Sequence, residues 1–185
     1  AIPVLEKLYK NGMVPGLVVS NEDKPRGRNL EITSPPTALW AKAHSVPLIQ
    51  PKKINTEDIK KDFDFLVVVS YGKIIPKEVL DLPKLGTVNI HPSLLPRYRG
   101  PSPIVSAILN GDMETGVTII KVDEEMDHGP IIAQEKIKLD GSEMIEDLEK
   151  TLANLGGELL VKILKTPSAS GHSPPPERSR RAGFA

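Results

Sequence analysis

The chain has 185 residues, and its 24 Lys and Arg balance its 24 Asp and Glu, so the formal charge is zero. This balance excludes a basic nucleic-acid coat as a property of the whole chain, although a local basic patch stays possible. The absence of cysteine excludes disulfides, thiolate metal sites and thiol catalysis. No apolar run approaches the roughly 20 residues of a membrane helix, and charge near the start argues against a signal peptide.

Apolar periodicity predicts helices and strands that alternate along the chain. The predicted helices cover residues 1–10, 35–44, 55–61, 102–110 and 142–165. The predicted strands cover residues 16–20, 47–50, 65–69, 87–90, 116–122 and 130–137. The run at 65–69 is apolar on both faces, which is typical of a buried parallel strand. Strands that alternate with helices predict an α/β fold whose sheet is covered on both faces.

The sequence changes character after the long helix predicted at 142–165. Asp140 and Glu143 resemble a capping box at the start of that helix, and its apolar residues form one stripe. Residues 166–185 are rich in Pro, Ser and Arg without an apolar period, which predicts a disordered tail. A basic arm for RNA is the alternative for this segment, and it would use Arg178, Arg180 and Arg181.

The densest polar signal lies at the end of the strand predicted at 87–90. Asn89 and His91 are two residues apart, so on a strand their side chains point the same way. In open α/β sheets, ligands bind beyond the carboxyl ends of the strands. A satisfied polar pair is the commoner meaning of such an Asn-x-His step, so both interpretations stay open from the residues alone.

A second polar segment follows the strand predicted at 116–122. Residues 123–127 hold four carboxylates in five positions, and the segment is either a solvated acidic turn or a cation loop. An EF-hand does not fit, because its fixed oxygen positions and terminal Glu are missing. A carboxylate from this loop could instead reach His91 and orient the imidazole.

Four blocks of sequence make the chain similar to a known family. They are SYGKIIP at 70–76, NIHPSLLPRYRGPSPI at 89–104, GDMETGVTII at 111–120 and DEEMDHGP at 123–130. With these blocks the chain resembles the folate-dependent formyltransferases, and most closely those that act on methionyl-tRNA. The resemblance covers residues 1–165. It implies a Rossmann-like α/β catalytic domain with a mostly parallel sheet.

The resemblance implies transfer of a formyl group from 10-formyltetrahydrofolate to initiator methionyl-tRNA in translation initiation, without a metal. The implied catalytic residues are Asn89, His91 and Asp127. Asn89 and His91 would donate hydrogen bonds to the negative charge that develops on the formyl oxygen. Asp127 would accept the proton of the attacking amine and hold His91.

The resemblance also implies two sets of binding residues. Those for the folate are Ser70, Tyr71, Gly72, Ile74, Val122 and Met126, whereas Ile75 is expected in the core. Those for the acceptor substrate are Ser93, Leu94, Leu95, Pro96, Lys24, Arg26 and Arg28. The three basic residues would meet phosphates of the tRNA acceptor stem, and a solvated loop is the alternative interpretation for them.

Two parts that the resemblance implies lie outside the 185 residues. One is a first strand with a Gly-Thr-Pro-x-Phe loop, which would lie between the strands predicted at 16–20 and 65–69. The other is a C-terminal β-barrel domain. We therefore expect a gap in the sheet, and we expect a cytoplasmic monomer without membrane contact. The alternatives are formyl transfer to another amine, such as glycinamide ribonucleotide or an amino sugar, or a non-catalytic remnant that binds folate.

Overall fold

The computed structural model describes residues 1–26, 30–59 and 62–165. Its helices are α1 (Ile2–Lys10), α2 (Pro36–Ala43), α3 (Lys77–Leu80), α4 (Pro103–Leu109) and α5 (Ile145–Lys165), with a 3₁₀ helix at Thr56–Asp58. Its strands are β1 (Val18–Val19), β2 (Lys24–Arg26), β3 (Glu31–Thr33), β4 (Leu48–Ile49), β5 (Phe65–Val68), β6 (Gly86–His91), β7 (Glu114–Lys121) and β8 (Ile131–Lys138). The predicted α/β class is confirmed.

The main sheet has the strand order β5-β6-β7-β8. β5 and β6 are parallel, whereas β6 with β7 and β7 with β8 are antiparallel. We expected a mostly parallel sheet. Within the described ranges two of the three strand pairs of the main sheet are antiparallel, so that expectation is wrong. The reason is local for β7 and β8, because the loop at 122–130 joins them directly, as antiparallel strands allow.

The strands β1 and β4 form a separate parallel pair, and β2 and β3 form an antiparallel hairpin. Among the described residues no strand joins β1 to β5, so the expected gap between these two strands is confirmed. The residues of β5 are half-buried rather than fully buried, although their sequence is apolar on both faces. The physical reason is that β5 lies at an edge of the four-stranded sheet and has a ladder partner on one side.

The core lies between the sheet and α5. Leu152 and Val117 are 1% and 0% exposed, and they belong to the same cluster of buried apolar side chains. A Cβ on Gly156 would come within 2.7 Å of the Cγ2 of Ile90, so the helix approaches the sheet more closely than a larger residue allows. The packing of α5 therefore holds one face of the sheet, including strand β6, in place.

The capping box predicted for α5 is only half formed, and it lies ahead of the helix, which begins at Ile145. The Asp140 carboxylate accepts from Ser142 rather than from the backbone N–H of Glu143, as a capping box requires. The backbone N–H of Asp140 donates to Glu143 at 2.7 Å, and the backbone N–H of Ser142 donates to Asp140 at 2.9 Å. No helix among the described residues is long and apolar enough to span a bilayer.

One local prediction differs from the structure, and two short elements were not predicted. The helix expected at 55–61 is a single 3₁₀ turn, Thr56–Asp58, capped reciprocally by Asn55 and Asp58. Its last residues, 60–61, and the expected disordered tail at 166–185 lie outside the described residues. The short helix α3 and the β2–β3 hairpin were not predicted, because segments of three or four residues are too short to show a period.

Candidate active site

The three residues that the resemblance places in catalysis are in contact. Asn89 and His91 lie at the C-terminal end of strand β6, where they pair with Ile120 and Thr118 of β7. Asp127 Oδ1 accepts a hydrogen bond from Asn89 Nδ2 at 3.1 Å. Asp127 Oδ2 lies 3.4 Å from His91 Nδ1, and both side chains are about nine-tenths buried. One carboxylate therefore bridges both strand-end side chains.

Two backbone groups complete the site. The N–H of Gly100 donates to Asp127 Oδ2 at 2.9 Å, and His91 Nε2 lies 2.8 Å from the carbonyl oxygen of Tyr98. A carbonyl only accepts, so Nε2 carries a proton and donates to it. Both ring nitrogens of His91 thus face acceptors. Sequence reasoning missed Tyr98 and Gly100, because the groups involved are backbone atoms, which every residue has.

The loop at 122–130 directs its four carboxylates to different partners. Asp123 accepts from the backbone N–H of Glu125 and pairs with His128, whereas Glu124 pairs with Lys77 at 2.8 Å. Burial opposes ionisation of Asp123, but the bonds from His128 and Glu125 lower its pKa below the ordinary value. Asp127 has a left-handed backbone (φ +51°), which aspartate tolerates.

Gly129 explains why this loop can turn back so tightly. A Cβ at this position would overlap the carbonyl oxygen of Lys121, so the backbones pass in direct contact. A hydrogen bond also closes the loop, because the backbone N–H of Lys121 donates to the carbonyl of Pro130 at 2.9 Å. The close approach places Asp127 over the end of β6.

The residues expected to bind the acceptor after β6 divide into packed and exposed ones. Ser93 is fully buried and its hydroxyl donates to the carbonyl of Arg97 at 2.6 Å. Leu95 is also buried, and its N–H donates to Thr118 Oγ1. These two side chains pack inside the turn. Leu94 is half-buried and Pro96 is exposed, so they are available to a ligand.

The residues expected to bind the folate include two exposed apolar side chains, Ile74 at 91% and Met126 at 72%. Ser70 and Gly72 are exposed as well, and both have positive φ. Tyr71 is half-buried, and its hydroxyl has no hydrogen-bond partner within the described ranges. Burial raises the pKa of this phenol.

Val122, the remaining folate candidate, lines an open cleft of about 430 Å³ between α3 and the loop at 122–128. The other lining residues are Lys77, Leu80, Asp81, Asp123, Glu124, Glu125 and His128. Four carboxylates in this lining disfavour an anionic group. The cleft therefore lies beside the loop that carries Asp127, but Asn89, His91 and Asp127 are not among its lining residues.

The basic residues expected to meet tRNA begin in the β2–β3 hairpin. Lys24 is exposed and its backbone pairs with Thr33, so it lies on a strand rather than in the expected loop. Arg26 ends the same strand opposite Glu31. Arg28 lies outside the described residues. The hairpin thus presents at least one cation to solvent.

Comparisons with known proteins agree on the family. The sequence matches the family described as formyl transferase over residues 3–164. It is 45% identical over 170 residues to a methionyl-tRNA formyltransferase of Thermotoga maritima, covering 89% of this chain and 54% of that protein. A methionyl-tRNA formyltransferase of Ehrlichia ruminantium is 47% identical over 152 residues, which cover 80% of this chain and 50% of that protein. The chain spans about half the length of these curated relatives.

A solved structure extends the likeness to the fold. The phosphoribosylglycinamide formyltransferase of Bacillus halodurans superposes with a TM-score of 0.65 at 27% identity. The superposition covers 87% of this chain and 89% of that chain. The Rossmann-like fold class that the resemblance implied is therefore confirmed.

Proposed function

Because the chain belongs to the formyl transferase family, we propose that it transfers a formyl group from 10-formyltetrahydrofolate to the amino group of initiator methionyl-tRNA. Two relatives at 45% and 47% identity carry the name methionyl-tRNA formyltransferase, which supports the acceptor and a role in cytoplasmic translation initiation. The observation that carries the proposal is the Asp127 carboxylate, which bridges Asn89 and His91 at the end of β6.

The loops expected around the folate fit such a donor. Ile74 and Met126 offer uncovered apolar surface, which suits a flat heteroaromatic ring. The buried hydroxyl of Tyr71 has no partner among the described residues and can pair with a polar group of a ligand. When bound, the folate supplies a formyl group whose carbonyl carbon an amine can attack. The remaining steps depend on side chains of this chain.

Asn89 is suited to stabilise the negative charge that develops on the formyl oxygen. Its Nδ2 has two N–H groups, and one of them donates to Asp127. The second N–H is then available for the formyl oxygen. Removing one donor of this kind typically lowers the rate by about 10²–10³, or about 2.7–4 kcal/mol.

His91 and Asp127 are suited to manage the proton of the attacking amine. Both nitrogens of His91 face protein acceptors, Tyr98 and Asp127. The ring can donate to the formyl oxygen if that oxygen replaces Tyr98 or Asp127 as its acceptor. While both contacts are intact, the ring orients Asp127. Each carboxylate oxygen accepts about two hydrogen bonds. Among the described residues, Asn89 is the one donor to Asp127 Oδ1, so this oxygen has capacity for the amine proton.

The test is formylation of three acceptors by the purified protein with 10-formyltetrahydrofolate. We expect product with methionyl-tRNA and none with glycinamide ribonucleotide or an amino-sugar nucleotide. The glycinamide acceptor is the second candidate, because the Bacillus halodurans neighbour is named for it. Product with that acceptor alone would replace the proposal, and folate binding without transfer to any acceptor would indicate a non-catalytic role.

The same assay tests the site. Asn89→Ala and His91→Ala are each expected to lower formylation by about 10²–10³, since each removes a donor next to the reacting oxygen. Circular dichroism and thermal unfolding establish that the variants are folded. Turnover like that of the wild type in either folded variant would remove that residue from the site.

A further inference from the structure

The turn at 97–100 touches the candidate site through its backbone. The carbonyl of Tyr98 accepts from His91 Nε2 at 2.8 Å, and the N–H of Gly100 donates to Asp127 Oδ2 at 2.9 Å. These two groups are two residues apart, so any rotation of this turn moves both contacts together. The orientation of His91 and of Asp127 therefore depends on the conformation of one short segment.

That conformation is unfavourable without an anchor. Tyr98 has a left-handed backbone, with φ +56°, which is uncommon for a residue with a bulky side chain. Such residues persist where the surrounding contacts determine the backbone conformation. The contacts that do so here are made by the phenol of Tyr98. Its hydroxyl donates to Asp112 Oδ2 at 2.9 Å and accepts from Asn110 at 3.0 Å and from Arg97 at 3.1 Å.

Asp112 is the centre of this anchor. Besides the phenol, it accepts Arg97 Nη2 on both oxygens, at 2.8 Å and 2.9 Å. Its side chain is 12% exposed, and its backbone N–H donates to the carbonyl of Ala107, in α4, at 3.0 Å. The carboxylate is thus fixed to α4 on one side and to two consecutive residues of the turn on the other.

We propose that Asp112 is a positioning residue, which acts through Tyr98 to hold His91 and Asp127 in the geometry of the candidate site. It touches neither of them itself. The path is short: the carboxylate of Asp112 fixes the phenol of Tyr98, and the carbonyl of Tyr98 fixes the imidazole of His91. This inference is tested by activity and by NMR. The activity test rests on the proposed function, whereas the NMR test of the geometry around His91 does not.

A surface ion pair is the simpler role for the same residues. Arg97 is half exposed, and exposed pairs contribute little to stability. The burial of Asp112 and its bond to the phenol set it apart from the pair of Glu114 and Lys136 on β7 and β8. That pair joins exposed side chains at 3.0 Å, and within the described part of the chain neither side chain is hydrogen-bonded to residues 97–100.

The variants are Asp112→Asn, which replaces one acceptor oxygen with a donor, and Tyr98→Phe, which removes the phenol oxygen and keeps the carbonyl. Glu114→Gln is the matched control, because it makes the analogous change in the surface pair. With methionyl-tRNA and 10-formyltetrahydrofolate, we expect both variants to lower kcat by between about 10-fold and 100-fold, as small misplacements of catalytic groups do. KM is expected to stay within about twofold, because neither substitution removes a contact that binds the substrate equally in the ground state and the transition state.

The geometric arm uses NMR of the protein labelled with ¹⁵N at histidine. In the wild type we expect a slowly exchanging Nε2–H signal for His91, assigned by its loss in His91→Ala, because this N–H is buried and bonded to Tyr98. We expect that signal to broaden or disappear in Asp112→Asn and in Tyr98→Phe, and to persist in Glu114→Gln.

The outcomes separate the two proposals. A lower kcat with a lost His91 signal in both variants supports the positioning role. An unchanged kcat in a folded variant, or a rise in KM alone, overturns it. If Asp112→Asn does not fold, Tyr98→Phe decides. If the wild type formylates no acceptor, the proposed function fails and the His91 signal decides the inference: its retention in Tyr98→Phe overturns the positioning role, and its loss supports it.

Discussion

Replacing Asp127 with Asn preserves the shape of the side chain but removes one of its two acceptor oxygens. In the protein, Oδ1 accepts from Asn89 at 3.1 Å and Oδ2 accepts from the N–H of Gly100 at 2.9 Å. An amide NH₂ in place of either oxygen faces an N–H donor, so one donor loses its partner. Such a loss costs about 1–3 kcal/mol when the group is buried, and the free energy of unfolding should fall by that amount or less.

The effect on the rate is expected to be larger than the effect on stability. An amide does not accept the proton of the attacking amine, and a positioned general base typically contributes about 10²–10⁴ in rate. At about 1.36 kcal/mol for each factor of ten, this corresponds to about 2.7–5.4 kcal/mol of transition-state free energy. The quantity that separates the chemical role from a structural one is therefore kcat.

The assay measures kcat and KM for formylation of methionyl-tRNA, the Kd of the folate, and urea unfolding of each variant. We expect Asp127→Asn to lose kcat while its folate Kd stays nearly unchanged. Asp140→Asn is the matched control, because Asp140 also accepts a backbone N–H, from Ser142, and lies ahead of α5. Folate binding weakened by about tenfold, with an unchanged rate at saturation, would make Asp127 a binding residue and refute the reasoning.

Three further predictions concern the loop, a helix start and the hairpin. Gly129→Ala should destabilise the protein by about 1–3 kcal/mol, because the new Cβ meets the Lys121 carbonyl; a thermal midpoint as high as that of Gly16→Ala, whose Cβ meets nothing within 4 Å, would contradict this. Hydrogen bonds from Ser142 hold the pKa of Asp140 below its ordinary value, so its contribution to stability is present above the unfolded-state pKa and is lost as pH falls through the folded one; a carboxyl NMR titration should show Asp140 returning toward the ordinary value in Ser142→Ala, and identical titrations would count against it. Lys24→Glu should weaken binding of methionyl-tRNA and lower its salt dependence by about one counterion, whereas Lys150→Glu on α5 should not; equal effects of the two variants would leave Lys24 without a specific role.

Local patterns were enough to locate most elements and the polar end of β6. The apolar stripe of α5 places Leu148, Leu152 and Leu159 in the core, as the helical period predicts. Asn89 and His91 are two residues apart on a strand, and both reach Asp127, as the strand period predicts. These features depend on neighbours in sequence, so the sequence by itself determines them.

The tertiary structure decided which groups meet at that end. Asp127 comes 38 positions after Asn89, and its place depends on the register of β6 against β7 and on the close turn at Gly129. Ser93 and Leu95 were expected to bind the acceptor, yet they pack inside the turn, where Thr118 on β7 bonds to that segment.

The strand arrangement and the backbone contacts were equally beyond local reasoning. Whether β7 runs parallel or antiparallel to β6 depends on how the whole core packs, and the residues of one strand do not record it. The carbonyl of Tyr98 and the N–H of Gly100 leave no signal in the sequence either, since every residue but proline offers the same two groups. Residue types determine what chemistry is available, and long-range packing determines which atoms come within bonding distance.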